Sequence, residues 1–382
     1  MTFALLEFPA EILDLIAQQL CPHCWGGPED EVCFQTLLSL TSTCRALCAA
    51  AQPILYHMPF SDALRRGETR SVDGPNIALL ARTLIESPRL ANAVRDVGFR
   101  FAYPQHSHRL SDEEIVFFEQ EMDNVFKEAG QEATRIRCNW TRTGTFYTPE
   151  GDYHCDSNEF LRMLLVAKTK RVVWLDCIGP GSVVRPKFEL PNLTFLNVED
   201  WQDGREWDMD CVSEILQAAP VLKYFSGMGI CAATLEEGAV FNDNADDLML
   251  ISYAMPLNHF GNVMRGFPNL KKFFYRLGDY KERPEEAPST QEIVDALWIR
   301  SDTLESIVVD MSLYQPSIKL NPGAILDLNK MEVLEYIEWS FPLCTHEWKR
   351  PIWTVHKTDP VEEGGGDVDH EDRQDGDVGE GE

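Results

Sequence analysis

The stretch PNLTFLNV at residues 191–198 carries the pattern that decides the fold of this 382-residue chain. Its leading apolar residue, Leu193, is followed by Leu196 three positions later and by Val198 five positions later. Short apolar segments of this kind are typical of buried strands. The same frame recurs in PVLKYFSG at 220–227, PNLKKFFY at 268–275, DTLESIVV at 302–309 and EVLEYIEW at 332–339. Val172, Leu175 and Cys177 have the same spacing and predict a further strand.

Amphipathic stretches that indicate helices precede most of these strands, at residues 158–167, 211–219, 256–266, 291–298 and 324–328. A helix–turn–strand unit cannot bury its apolar face alone, whereas stacked units share one core behind a wall of parallel strands. The leading leucines at 193, 222, 270, 304 and 334 are 29, 48, 34 and 30 residues apart, so the repeat is irregular. We predict an α/β fold in which residues 61–357 form a degenerate leucine-rich-repeat-like solenoid; an open doubly wound sheet is the alternative.

Residues 1–60 show a different pattern, which is typical of helices and rich in leucine. Phe8, Ile12, Leu13, Ile16 and Leu20 follow one stripe of a 3.6-residue period, and Pro9 suits a first helical turn. The polar insert at 21–31 should end this helix, after which Leu37 and Leu40 resume the helical period. The pattern therefore predicts a small helical module ahead of the repeats.

The segments FPAEILDLIAQQL at 8–20 and LLSLTSTCRALCAAAQPILY at 37–56 resemble an F-box of the kind found in many fungal adaptor proteins. The resemblance implies a three-helix module over residues 1–60 that docks on the Skp subunit of Skp/cullin/F-box ubiquitin ligases. It also implies a partner domain that presents a protein substrate for ubiquitination. The residues expected to contact Skp are Phe8, Pro9, Ile12, Leu13, Ile16, Leu20, Leu37, Leu40 and Cys44.

The residue between the last two apolar positions of each predicted strand should face away from the core, because side chains alternate along a strand. Their mix of acidic, amide and apolar groups is more typical of a protein-binding face than of a reaction centre. We expect them to contact the substrate. They are Asp176, Asn197, Ser226, Phe274, Val308 and Glu338.

Two short motifs allow other interpretations. GMGICA at 227–232 follows a predicted strand and matches a dinucleotide-binding turn, so an α/β enzyme with a nucleotide site is one alternative. The insert holds Cys21, His23, Cys24 and Cys33, and C-x-x-C is zinc-ligand spacing. Because the chain shows no second close pair of ligands, we predict that this insert is metal-free, and we expect no cofactor elsewhere.

The net negative charge limits the kinds of partner that the chain can bind. The formal charge of −28 disfavours nucleic acid and anionic membrane surfaces, and no apolar run is long enough to span a bilayer. Residues 358–382 hold eleven acidic residues and one arginine, and we predict a disordered tail. These features favour an intracellular, cytoplasmic or nuclear adaptor that performs no chemistry itself. An F-box scaffold that acts outside a ubiquitin ligase is the remaining alternative.

Overall fold

The computed structural model describes residues 8–21, 24, 31–59, 74–98, 110–130, 136–138, 146–147, 153–155, 157–178, 189–199, 207–233, 239–252, 257–277, 290–311, 331, 333–340 and 353–356. The predicted acidic tail at 358–382 and the predicted helix at 324–328 lie outside these residues.

The described part of the chain contains ten α-helices. They are α1 (Ala10–Gln19), α2 (Glu31–Thr43), α3 (Arg45–Leu55), α4 (Gly74–Glu86), α5 (Pro88–Ala91), α6 (Asp112–Glu128), α7 (Ser157–Lys168), α8 (Asp210–Ala218), α9 (Leu257–Gly266) and α10 (Thr290–Leu297). The helices predicted at 158–167, 211–219, 256–266 and 291–298 are confirmed to within two residues at each end.

Fourteen strands belong to the described residues. They are β1 (Asp96–Gly98), β2 (Ile136–Cys138), β3 (Phe146–Tyr147), β4 (Tyr153–Cys155), β5 (Trp174–Ile178), β6 (Phe195–Glu199), β7 (Trp207–Asp208), β8 (Tyr224–Met228), β9 (Ile230–Ala232), β10 (Asp247–Ser252), β11 (Lys272–Leu277), β12 (Ser306–Asp310), β13 (Tyr336–Ser340) and β14 (Trp353–His356).

Nine strands form the main sheet, in the order β1-β5-β6-β8-β10-β11-β12-β13-β14. Every pairing from β1 to β13 is parallel, and β14 pairs antiparallel with β13. The α/β class is confirmed. The strand order follows the chain order throughout the described strands, whereas a doubly wound sheet reverses its order at a switch point.

The repeated apolar spacing explains why these segments are strands with one buried face. In β8, for example, Leu222 lies just before the strand, Phe225 and Gly227 lie within it, and all three are buried. The residues between them alternate to the other face and are only half-buried. Helices cover the buried face, and nearly all buried residues beyond residue 76 belong to one apolar core.

Each unit enters its strand through a tight turn. The N–H of the leading apolar residue donates to a carbonyl three residues earlier, as Leu193 does to Leu190 (3.1 Å) and Leu222 to Ala219 (3.1 Å). The carbonyl of the residue just before one strand accepts hydrogen bonds from two successive N–H groups at the start of the next strand in the sheet. Thr194, for example, accepts from Lys223 at 2.9 Å and from Tyr224 at 3.0 Å.

Three strands of the main sheet, β1, β10 and β14, were not predicted. Of these, β10 accounts for the 48-residue gap between Leu222 and Leu270. Ala245 stands in its leading position, so the apolar frame is present but lacks the leucine that marks the other units. The buried side chain of Asn242 replaces the turn carbonyl: its Oδ1 accepts from the N–H groups of Asn244 (2.8 Å) and Ala245 (2.9 Å). The gap therefore contains two units rather than one.

Helices α1, α2 and α3 pack together ahead of the sheet. Their shared core contains Ala17, Leu37, Ala51 and Ile54 in one cluster. Helix α3 runs to Leu55, and Pro53 lies in its final turn.

The three helices join the sheet directly. The carbonyl of His57 accepts from Arg95 (3.0 Å) and Asp96 (2.9 Å) at the start of β1, and Tyr56 packs against the main core. Among the helices that the structure describes, none combines the length and the apolar character needed to cross a membrane.

We expect the variant Asn242→Asp to be destabilised. The substituted carboxylate keeps both acceptor bonds but cannot donate to the carbonyls of Leu216 (2.6 Å) and Ala219 (3.0 Å), and its charge faces them in a buried site. The free energy of unfolding should fall by about 2–4 kcal/mol. Urea denaturation measures this, with the exposed Asn244→Asp as the matched control. Equal unfolding midpoints for the two variants would contradict the role assigned to Asn242.

Candidate functional site

Helix α1 carries apolar side chains on two adjoining faces. Leu13 and Ala17 are buried, and Leu20, just after the helix, is half-buried; all three face the other two helices. Four further apolar residues point outward and are between 38% and 53% exposed: Phe8, Ile12, Leu15 and Ile16. Ile12, Leu15 and Ile16 lie on one stripe of the helix, at spacings of three and one residues. Phe8 and the exposed Pro9 lie just before the helix begins at Ala10. We name these four residues the outer stripe.

Two of the residues predicted to contact Skp lie in the internal core of the chain instead. Leu13 is 7% exposed and packs with Leu47 and Ala50, and Leu37 is 2% exposed and packs with Ala17 and Ala51. The sequence analysis placed the apolar residues of α1 on a single stripe, whereas in the structure they belong to two faces of the helix, one buried and one exposed. Leu40 and Cys44 are half-buried against the cluster that contains Leu13.

Leu15 was missed by the sequence reasoning, although a signal for it was present. A helix that is buried on one side shows one apolar stripe, whereas α1 has apolar residues at positions 12, 13, 15, 16 and 20, which span more than one face. An apolar helix with two such faces indicates contacts on both sides. The described residues supply only one of these contacts.

The main sheet aligns the predicted substrate-binding residues in one row. Strand pairing places Asp176 opposite Asn197, Asn197 opposite Ser226, Phe274 opposite Val308, and Val308 opposite Glu338. Met249 of the unpredicted strand β10 fills the gap between Ser226 and Phe274, and Gly98 and Thr354 extend the row at its two ends. We name the face that carries this row the outer face of the sheet.

Exposure along this row differs from the prediction at two positions. Asp176 is 2% exposed and Asn197 is 6% exposed, so neither side chain is accessible to a partner in this structure. Asn197 donates from Nδ2 to Asp176 (3.0 Å) and to Glu199 (2.7 Å), an arrangement that stabilises the two buried polar groups. Ser226, Phe274, Val308 and Glu338 are half-buried.

A row of aromatic rings runs beside these residues on the outer face. The Trp174 and Phe195 rings stack with centroids 3.4 Å apart and planes at 13°, and Phe195 stacks on Tyr224 at 4.3 Å and 8°. Trp174 is exposed, while the other two are half-buried. Stacked aromatics with an accessible end are typical of surfaces that bind proteins.

Acidic and hydroxyl groups flank this aromatic row. Asp247 pairs in register with Tyr224, and burial raises the pKa of the Asp247 carboxyl above its usual value. The Tyr224 hydroxyl donates to the sulfur of Met249 at 3.1 Å, and burial also raises the Tyr224 pKa. The described outer face therefore combines aromatic and acidic groups with the basic side chains of Lys272 and Arg276, a mixture that suits contact with a protein segment.

The glycine motif at 227–232 has a packing role. Ile230 packs its side chain onto Gly227, where a Cβ would collide with Ile230 Cδ1 and lie 3.1 Å from Cγ1. Gly229 adopts φ +84°, and its N–H donates to Ile251 at 2.8 Å. A dinucleotide-binding turn opens a helix at its glycines, whereas strand β9 begins here at Ile230. The space above Gly227 is taken by the chain itself.

Three potential metal ligands converge where the helices meet the sheet. Cys21, Cys24 and His57 place their Sγ and imidazole nitrogen atoms within 4.8 Å of one another. Burial, together with the nearby Cys21 thiol, raises the pKa of Cys24 to about 12. The prediction of a metal-free insert rested on the lack of a further ligand, and His57 was not considered because it lies 33 residues from Cys24. Cys33, Cys44 and Cys48 do not join this cluster.

Comparison with known proteins gives no assignment: no family model matches the chain, and no curated protein matches it.

We expect Gly227→Ala to destabilise the protein and Gly98→Ala to be neutral or slightly stabilising. Both glycines lie in strands of the main sheet, but a Cβ at Gly98 would have its nearest neighbour 3.9 Å away, in ordinary contact with Asp176 Cβ. Overpacking at Gly227 should cost about 1–3 kcal/mol, and thermal melting of both variants measures it. A melting temperature of the wild type that rises with added dinucleotide would instead support a cofactor turn.

Proposed function

We propose that this protein is a substrate-recognition adaptor of a Skp/cullin/F-box ubiquitin ligase. In this proposal residues 1–60 are an F-box that binds the Skp subunit, and residues 61–357 form a degenerate leucine-rich-repeat-like solenoid that binds a target protein. The observation that carries the proposal is the outer stripe. It is an exposed apolar surface on the helix whose sequence resembles the opening of an F-box.

Three packed helices support the first half of the proposal. The segment with the resemblance folds as α1, α2 and α3 around its own small core, and that core leaves the outer stripe uncovered by the described residues. Exposed apolar side chains that cluster on one helix face mark an interaction site more often than scattered ones do.

Strand order supports the second half. Eight parallel strands follow one another in chain order, and two successive N–H groups at the start of each donate to one carbonyl. Stacked repeat units produce this sequential order, and repeat proteins commonly bind other proteins along their strand-lined face. The aromatic row and the flanking acidic groups lie on that face.

The free energy of apolar burial sets how much the outer stripe can contribute to the affinity for Skp. Full burial of one large apolar side chain contributes about 1.5–3 kcal/mol, so completing the burial of four half-exposed residues gives about 4 kcal/mol in total. Association costs about 4–15 kcal/mol, so the stripe cannot supply the whole affinity. We therefore treat the stripe as necessary for Skp binding, with further contacts from the rest of residues 1–60.

We expect the double variant Ile12→Asp/Ile16→Asp to lose Skp binding and to keep its melting temperature. Both side chains are exposed, so the free protein tolerates the charges, but two unpaired carboxylates in an apolar contact cost several kcal/mol. Pull-down with recombinant Skp and thermal melting of the same samples measure the two effects.

Two controls make this test specific. Leu79→Asp introduces a charge at another exposed apolar position, on α4, and should bind Skp like the wild type. Leu13→Ala opens the internal core and should lower stability by about 2–5 kcal/mol. A wild-type chain that fails to bind Skp, or a double variant that binds as tightly as the wild type, would refute the F-box assignment. Skp recovered without any cullin would favour the scaffold alternative.

A further inference from the structure

The cluster of Cys21, Cys24 and His57 is assembled by the ends of two helices. The N–H of Cys21 donates to Gln18 (3.0 Å) at the end of α1, and the N–H of Cys24 donates to Cys21 (3.0 Å). This turn sets both thiols on one side. The N–H of His57 donates to Ile54 (3.0 Å), so the imidazole follows the last turn of α3.

The two sulfur–nitrogen distances in the cluster are close to those between ligands of a tetrahedral metal ion. His57 Nδ1 lies 3.6 Å from Cys21 Sγ and 3.3 Å from Cys24 Sγ. With Zn–S at about 2.3 Å and Zn–N at about 2.0–2.1 Å, a tetrahedral angle separates sulfur from nitrogen by about 3.6 Å. The two measured separations fall on or close to this edge length.

In the metal-free protein, hydrogen bonds can hold the three groups together. Nδ1 of a neutral imidazole accepts one S–H bond, and the second thiol donates to the sulfur of the first. A cation between the three atoms would contact all of them at once. Two thiolates and an imidazole are ligands that favour zinc over magnesium or calcium.

We propose that Cys21, Cys24 and His57 bind one zinc ion. Each thiol gives its proton to solvent as its sulfur coordinates the metal, so binding releases two protons. Cys24 is exposed, which provides a path for the ion, while Cys21 is buried. Three protein ligands leave one tetrahedral position for a water molecule.

The position of this site gives it a mechanical role. It would join the end of α1 to the residue after α3, and the carbonyl of the same His57 accepts from Arg95 and Asp96 at the start of the sheet. One ion would therefore fix the first helix, which carries the outer stripe, to the first strand. This role does not depend on which partner the stripe binds.

The test uses the full chain purified without chelator. Elemental mass spectrometry should find about one zinc per chain, and replacement by cobalt should give the absorption bands of tetrahedral thiolate coordination. Cys24→Ser and His57→Gln should lose the metal and the bands, whereas the matched control Cys48→Ser, a cysteine outside the cluster, should retain both. Circular dichroism confirms that each variant is folded.

Chelation of the wild-type protein provides a second test that does not depend on whether the variants fold. A strong chelator should remove the zinc from the wild type and lower its melting temperature, and added zinc should restore it. The proposal is overturned if the wild type carries no zinc and gives no cobalt spectrum, or if zinc remains in folded Cys24→Ser and His57→Gln.

Discussion

The structure depends on one repeated backbone interaction. The carbonyl that precedes each strand accepts the first two N–H groups of the next segment, and the pattern recurs at Arg95, Val173, Thr194, Lys223, Asp246, Lys271 and Glu305. Because this contact fixes the register of neighbouring strands, equivalent positions of successive units fall in one row. The buried rows form a continuous core, and the rows between them form the outer face. A single-residue slip would exchange the two faces, which is why the apolar spacing of three and five is kept.

Six of the nine strands in the main sheet could be predicted, because the leading apolar residue and its two followers form a local pattern. The pattern failed at β10, where Ala245 replaces the leucine and the Asn242 side chain replaces the carbonyl of the turn. Alanine in that position is too common to signal a strand, and a polar residue that completes a turn resembles a loop. Strand β14 also escaped prediction, because antiparallel pairing with β13 places no requirement on the repeat spacing.

The candidate surfaces were only partly predictable, for two physical reasons. Sequence periodicity shows that a helix is apolar on more than one side, but it does not say which side the rest of the chain covers; for this reason Leu13 and Leu37 were assigned to the partner and Leu15 was missed. Burial of polar residues was likewise invisible: Asp176 and Asn197 satisfy each other through a hydrogen bond across two strands 21 residues apart. The ligand set at Cys21 and Cys24 was judged incomplete because its third member, His57, comes from a different helix.

In the proposed adaptor role the protein would hold two bound partners near each other, and the benefit would be a high effective concentration of one near the other. That benefit falls if the two binding surfaces can turn freely. Here the outer stripe lies on the first helix and the aromatic row on the sheet, so the joint between them controls their relative orientation. His57 occupies this joint: its carbonyl extends the repeated strand contact back to the helices, and its imidazole lies against two cysteines that follow the first helix. His57 thus contacts both the first strand of the sheet and the segment that follows α1. A rigid joint at this position would hold the first helix at a fixed orientation to the sheet, so that the two binding surfaces could not turn freely relative to each other.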